Sequence, residues 1–208
     1  MGNRYIYPDE YEQIECPDHF SDEIDWSLSG IINQWQTGRS SSEPPVRLRN
    51  AVISDSRFIG RLSRDVFAIY GHYDDILTRW FRSSDDITTI IACLDKIQIG
   101  FAMLSDSSER YDLQDVSELL GIAVEPERQG KGIGGMLLRA IELKSASLSI
   151  KWLFLHAAVD NVPARKLYER AGYRNLEIKR NFYPEGQDAI VMYKAVERTK
   201  IKGERQKN

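Results

Sequence analysis

The sequence predicts a mixed α/β domain built on a central sheet. Three observations carry this. From Val46 onward strand-like and helix-like patterns alternate in the order βααβββαβαββ. A glycine-rich loop, "ERQGKGIGG" at 127–135, joins an apolar run to a helical pattern. The run "KWLFLHAA" at 151–158 is apolar without alternation, as a strand covered on both faces is.

Each element has its own signal. "VRLRNAV" (46–52) reads as the first strand, and Ser54 with Asp55 marks a helix start before "RFIGRLSRDVFAIY". "DILTRWFR" (75–82) gives a second, short helix. "ITTIIACL" and "IQIGFAML" flank the turn Asp95-Lys96 as a hairpin. "YDLQDVSELLGIAV" (111–124) predicts a longer strand that Pro126 ends. After the glycines, Ile133, Leu137, Ala140 and Ile141 share one helical face. Asn161 is placed to cap "VPARKLYERA", with Pro163 in its first turn and Gly172 just past its end. "YRNLEIK" and "AIVMYKA" close the domain as strands.

Composition narrows the class. The 208 residues suit one domain with tails, with the domain expected over 46–196. A net charge of -3 argues against a general nucleic-acid binder. Cys16 and Cys93 have no metal-ligand spacing and read as reduced thiols, so no metal site is expected. No apolar run approaches a membrane span, so the expected setting is cytoplasmic, with no membrane partner and a monomer or homodimer. Residues 1–45 hold nine acids against Arg4 and Arg39, and include a turn-rich linker at 37–45. Residues 197–208 form a basic tail. The acidic extension reads either as solvated or as folded back on the domain, since it also carries many apolar side chains.

Gly130, Gly132 and Gly135 match the dinucleotide pattern G-x-G-x-x-G. That pattern expects an acid at the end of the following strand, and here the next acid is Asp160, beyond it. No Lys-Ser or Lys-Thr pair closes a Walker loop. What remains is a backbone nest at a helix N-terminus, suited to a pyrophosphate, with Arg128 and Lys131 at its rim.

"QGKGIG" (129–134) and "NVPARKLYERAGY" (161–173) resemble the two motifs of the GCN5-related N-acetyltransferases, Q/R-x-x-G-x-G/A and N-x-x-A-x-x-L-Y-x-x-x-G-F/Y. The resemblance covers 46–196 and implies a twisted, mostly antiparallel sheet with splayed middle strands, flanked by helices. It implies acetyl-CoA as acyl donor. Arg128, Gln129, Gly130, Lys131, Gly132, Ile133 and Gly134 would hold its pyrophosphate. Ile122, Ala123, Val124 and Asn161 would line the pantetheine arm. Tyr168 matches the motif tyrosine near the coenzyme sulfur and could protonate the leaving thiolate.

A base is needed to deprotonate the amine. Glu118 lies in an apolar strand, where burial raises a carboxyl pKa. His156 lies on the next strand, and imidazole titrates near neutrality. Resemblance to N-terminal protein acetyltransferases favours both as catalytic. "NFYPEGQDAIVMYK" (181–194) resembles the final hairpin of the ribosomal-protein alanine (RimI-like) enzymes, making Tyr183 the candidate for holding a peptide N-terminus. "YGHYDDILTRWF" departs from that group. The expected acceptor is a protein or peptide α-amine. The alternatives are a small amine or antibiotic, or a non-catalytic acyl-CoA-binding module.

Overall fold

The computed structural model describes residues 45–83, 86–105 and 115–196. The acidic extension, its linker and the basic tail expected from the sequence lie outside the described residues, apart from Pro45. So does the first part, 111–114, of the longer strand.

The element order is the expected one: β1 (Val46–Asn50), α1 (Ser56–Phe67), α2 (Tyr73–Ser83), β2 (Ile87–Leu94), β3 (Ile97–Ser105), β4 (Val116–Val124), α3 (Ile133–Ser147), β5 (Trp152–Ala158), α4 (Val162–Arg170), β6 (Arg174–Lys179) and β7 (Ala189–Ala195). One seven-stranded sheet runs β1-β2-β3-β4-β5-β7-β6. Every neighbouring pair is antiparallel except β4 and β5.

Period-two alternation sorts side chains between the two faces. On β3, Phe101 and Met103 pack with Phe58, Ile59 and Leu62 of α1 and Leu77 of α2. Ala102 and Leu104 point the other way, onto Met136, Leu137 and Ile141 of α3, and Ile99 joins them because a register shift against β2 leaves it as an extra residue between Gln98 and Gly100. Both faces are therefore covered. Each fully buried leucine or isoleucine, such as Ile59 and Leu62, contributes about 2–3 kcal/mol.

The helix start expected from Ser54 and Asp55 takes a different form. The Asp55 side chain makes no cap bond to α1. Its carboxylate instead accepts from Arg49 at 2.7 and 2.8 Å, from the Val52 N–H and from Gln98. Asp55 is almost wholly buried and ties β1 and β3 to the base of α1.

β4 and β5 pair only where Val116–Leu119 face Trp152–Leu155. At that point β4 also shifts register against β3: Leu104 pairs with Leu119 but Met103 with Gly121, leaving Leu120 as an extra residue. A bulge bends its strand. The bend lies where the β4–β5 ladder stops, and beyond it the middle of the sheet opens into a gap.

Candidate active site

The glycine loop lies at the gap's edge. Gly130 and Gly132 adopt φ of +73° and +82°, a region that L side chains rarely enter. A Cβ built on either meets nothing within 4 Å, so both face open space. The Gln129 side chain donates to the Val124 carbonyl at 3.0 Å and pins the loop to β4. The helical ladder of α3 begins with Met136 N–H donating to the Gly132 carbonyl. The N–H groups of the turn before it have no carbonyl one turn back to bond. Gly134 serves packing, since a Cβ there touches Leu167 of α4 at 3.4 Å. Gln129 and Lys131 are exposed and Arg128 is half-buried at the rim. Ile122, Ala123 and Val124 pair with β3 on one side only. Alternate main-chain groups on their other side point into the gap.

The two candidate bases, proposed separately from sequence, touch. His156 Nδ1 lies 2.7 Å from Glu118 Oε1. Register explains the contact: Glu118 pairs with Phe154, so it shares a face with Phe154 and with His156 two residues on. Both side chains are largely buried, at 8% exposure for His156 and 15% for Glu118. With Glu118 ionised, the proton of this bond resides on Nδ1, and Nε2 is left as an acceptor. Nε2 is buried and has no hydrogen-bond partner among the described residues. Phe182 stacks flat on the imidazole, with ring centres 4.4 Å apart and planes at 4°.

Tyr183 packs in an aromatic group with Tyr70 (4.9 Å), Tyr73 (5.8 Å) and Phe182 (5.1 Å). Ala158 and Ala189 complete this cluster. Burial, reinforced by the neighbouring phenols and Asp160, pushes the Tyr183 pKa well above the ordinary phenol range. Burial, then Asp160, also raises that of Tyr70, whose hydroxyl meets the Asn161 side chain. Asn161 Oδ1 accepts from Ala164 N–H at 3.1 Å, the cap the sequence predicts. The α1–α2 turn and the β6–β7 hairpin are locked together by Gln187, whose side chain donates to the Ile69 carbonyl at 2.5 Å.

Tyr168 lies on the opposite face. It belongs to the core under α3 and α4, with Leu153, Leu155 and Ala157 of β5. Its ring is 5.8 Å from that of Tyr173. Burial holds its phenol far above the ordinary range, so it is protonated at neutral pH. Tyr168 still raises the pKa of Tyr183, so the two phenols interact although they belong to different clusters.

Sequence reasoning missed Tyr70 and Tyr73, and gave Phe182 no site role of its own. Tyr70 and Tyr73 lie in the stretch that departs from the RimI-like pattern, where motif matching gives no signal. The residue-type signal was an aromatic pair, Tyr70 and Tyr73, flanking a glycine turn.

An acetyltransferase (GNAT) family model matches residues 56–173, and the chain belongs to that family. It is 40% identical over 83 residues to the [ribosomal protein bS18]-alanine N-acetyltransferase of Salmonella typhimurium, covering 38% of this chain and 55% of that one. An N-alpha-acetyltransferase of Sulfurisphaera tokodaii is 25% identical over 154 residues, 70% of this chain and 90% of that one. The chain thus spans about half the length of the first of these curated relatives, and most of the second. Among solved structures, yncA of Salmonella typhimurium, determined with its cofactor acetyl-CoA, superposes with a TM-score of 0.63 at 15% identity, covering 74% of this chain and 95% of that one. The mixed α/β sheet with splayed middle strands is the fold the sequence predicted.

Proposed function

We propose that the protein is an N-acetyltransferase that moves acetyl from acetyl-CoA to the α-amine of a protein or peptide N-terminus. The observation that carries this is the Glu118–His156 contact with its buried Nε2, unpartnered among the described residues, set beside the Tyr70–Tyr73–Tyr183 cluster. The names of the relatives, an alanine N-acetyltransferase and an N-alpha-acetyltransferase, point to the same acceptor class.

The open cradle at Gly130 and Gly132 suits a pyrophosphate, with Arg128, Gln129, Lys131, Ile133 and Gly134 around it. Ile122, Ala123, Val124 and Asn161 line the gap where an extended arm would lie. Acetyl-CoA supplies an activated thioester; the amine nitrogen forms a bond to its carbonyl carbon, and the carbon–sulfur bond breaks. His156 Nε2 accepts the ammonium proton, directly or through water, while Glu118 holds the ring. Tyr168 donates its phenolic proton to the departing sulfur, and the second proton, which the nitrogen sheds on becoming an amide, returns to the phenolate through water. Base and acid thus belong to opposite faces of the sheet, and the gap between β4 and β5 lets one acyl group reach both. Cys93 is buried in the α1–α2 core, so direct transfer without an acyl-enzyme fits the described residues. Residues 46–196 form the catalytic domain, with 1–45 and 197–208 as appendages; the setting is cytoplasmic.

An α-amine with pKa near 8 is about 10% neutral at pH 7, against about 0.04% for a lysine near 10.4. One modest base is enough for the former. The test is turnover of acetyl-CoA on a panel of peptides with free N-termini, the same peptides Nα-blocked but bearing lysine, and small amines. Activity confined to the blocked peptides or small amines refutes the acceptor assignment. With an active peptide, Tyr168→Phe should lower kcat more than it raises KM for acetyl-CoA; an unchanged kcat removes Tyr168 as the acid. Glu118→Gln and His156→Ala should each alter the acidic limb of the pH–rate profile. If neither does, the base assignment fails.

A further inference from the structure

The outer face of the α1–α2 pair carries a groove of about 640 Å³ that takes no part in acetyl transfer. The two helices approach closely at its floor, where a Cβ on Gly60 would lie 2.9 Å from Thr78 Oγ1. Arg57, Arg61, Arg64, Arg79 and Arg82 line it against Asp74 and Asp75, an excess of three positive charges. All five arginines are exposed. Arg61 is held by Glu125 and Asp65, and Arg64 by Asp74. Arg57 and Arg82 make no ion pair with any described residue. Like charges gathered on one face repel unless an anion neutralises them.

The same chain contains a complementary segment. Residues 9–25 hold eight acids and no lysine or arginine. They precede β1, whose last residue, Asn50, lies six positions before Ser56 at the groove's end. From Asp25 to Val46 the chain can span about 70 Å when extended, several times the radius of about 15 Å expected for a domain this size. A tether of that length gives an effective local concentration on the order of millimolar, so weak ionic contacts suffice. We propose that the acidic segment 9–25 seats in the arginine groove of its own chain, bracing the helix pair whose connecting turn carries Tyr70.

Cys16 lies within that segment, while Cys93 is buried, so a nitroxide can be attached to Cys16 of the full chain selectively. At about 50 mM salt, backbone amides at 57–64 and 79–82 should lose more than half their NMR intensity. At about 0.5 M salt, where the Debye length falls well below 10 Å, the intensity should return. The variant Arg57→Glu/Arg82→Glu should abolish the loss while amides outside the groove keep their folded positions. Three results overturn the proposal. One is no attenuation at the groove, or attenuation indifferent to salt and charge reversal. Another is attenuation only in mixtures of labelled and isotope-enriched copies, which assigns the groove to a second copy. The third is unattenuated amides that shift on adding polyglutamate, which assigns it to an external acidic partner.

Discussion

Replacing Gly132 with alanine separates what the glycine loop does for the fold from what it does for the donor. Gly132 caps α3 at φ +82°. An L-residue in this left-handed conformation costs about 1–2 kcal/mol. No clash adds to that, because the new Cβ meets nothing within 4 Å. For a domain of this size the melting temperature should drop by about 2–8 °C. Donor binding should suffer separately, because the methyl group projects into the space where the pyrophosphate would sit. We expect coenzyme A affinity to fall at least tenfold, about 1.4 kcal/mol. Gly132→Asn sharpens the comparison: asparagine tolerates the left-handed region, so stability should recover while affinity stays low. Gly134→Ala is the control for stability alone. Gly134 is helical, its Cβ reaches only ordinary contact with Leu167, and alanine gains helix propensity of up to about 1 kcal/mol. Its melting temperature should hold or rise. Calorimetric titration with coenzyme A and thermal melts read both quantities. Wild-type affinity in Gly132→Ala, alongside the expected melting shift, would falsify the cradle as the phosphate site.

Two further perturbations test parts of the fold and site. The Arg49 guanidinium, then the Val52 N–H and Gln98, hold the Asp55 carboxyl well below the usual carboxylate range. A depressed folded pKa stabilises above the unfolded value near 3.9 and is lost as pH falls toward the folded one. Asp55→Asn should therefore cost about 1–2 kcal/mol at pH 7, discounted because Arg49 is 42% exposed. The gap between variant and wild type should narrow as melts are taken from pH 5 down to 2.5; a constant gap contradicts the ion-pair account. Phe182→Ala removes the ring stacked on His156, a contact of about 0.5–1.5 kcal/mol. Peptide kcat should fall up to about tenfold with donor KM unchanged, and Phe182→Tyr should restore it. Loss of donor binding instead would place Phe182 in a different role.

Most elements were legible because their periodicity and punctuation are strong. "ITTIIACL" gives β2 residue for residue, and Asn161 caps α4 as its position before Pro163 suggested. The partnership of Glu118 with His156 was not legible. Thirty-eight positions separate them, and they meet only through the parallel β4–β5 register, which no local pattern encodes. Tyr70 and Tyr73 were missed for a similar reason. Their link to Tyr183 depends on the α1–α2 turn meeting the β6–β7 hairpin, where a Cβ on Gly71 would press on Pro184 at 2.8 Å.

The bulge at Leu120 shows why the gap itself stayed hidden. Alternation holds on either side of it, with Leu119, Ile122 and Val124 packed toward α3, and Ala123 toward α1 and α2. Leu120 packs toward α1 and α2, and so does the Cβ position of Gly121, near Leu77 and Phe67. Two successive residues on one face are what an inserted residue produces. In "LLGIAV" every position is apolar or glycine, so this break in parity leaves no trace in hydrophobicity. Gly121, an interior glycine in an apolar strand, was the one local hint. The single extra residue has two effects. It bends β4 away from β5, opening the gap where the ladder ends, and it leaves Glu118 on the side of His156 while Ile122 and Val124 turn toward the face of Tyr168. Deleting Leu120 should restore alternation, let β4 continue its pairing with β5, and abolish coenzyme A binding in a chain that remains folded.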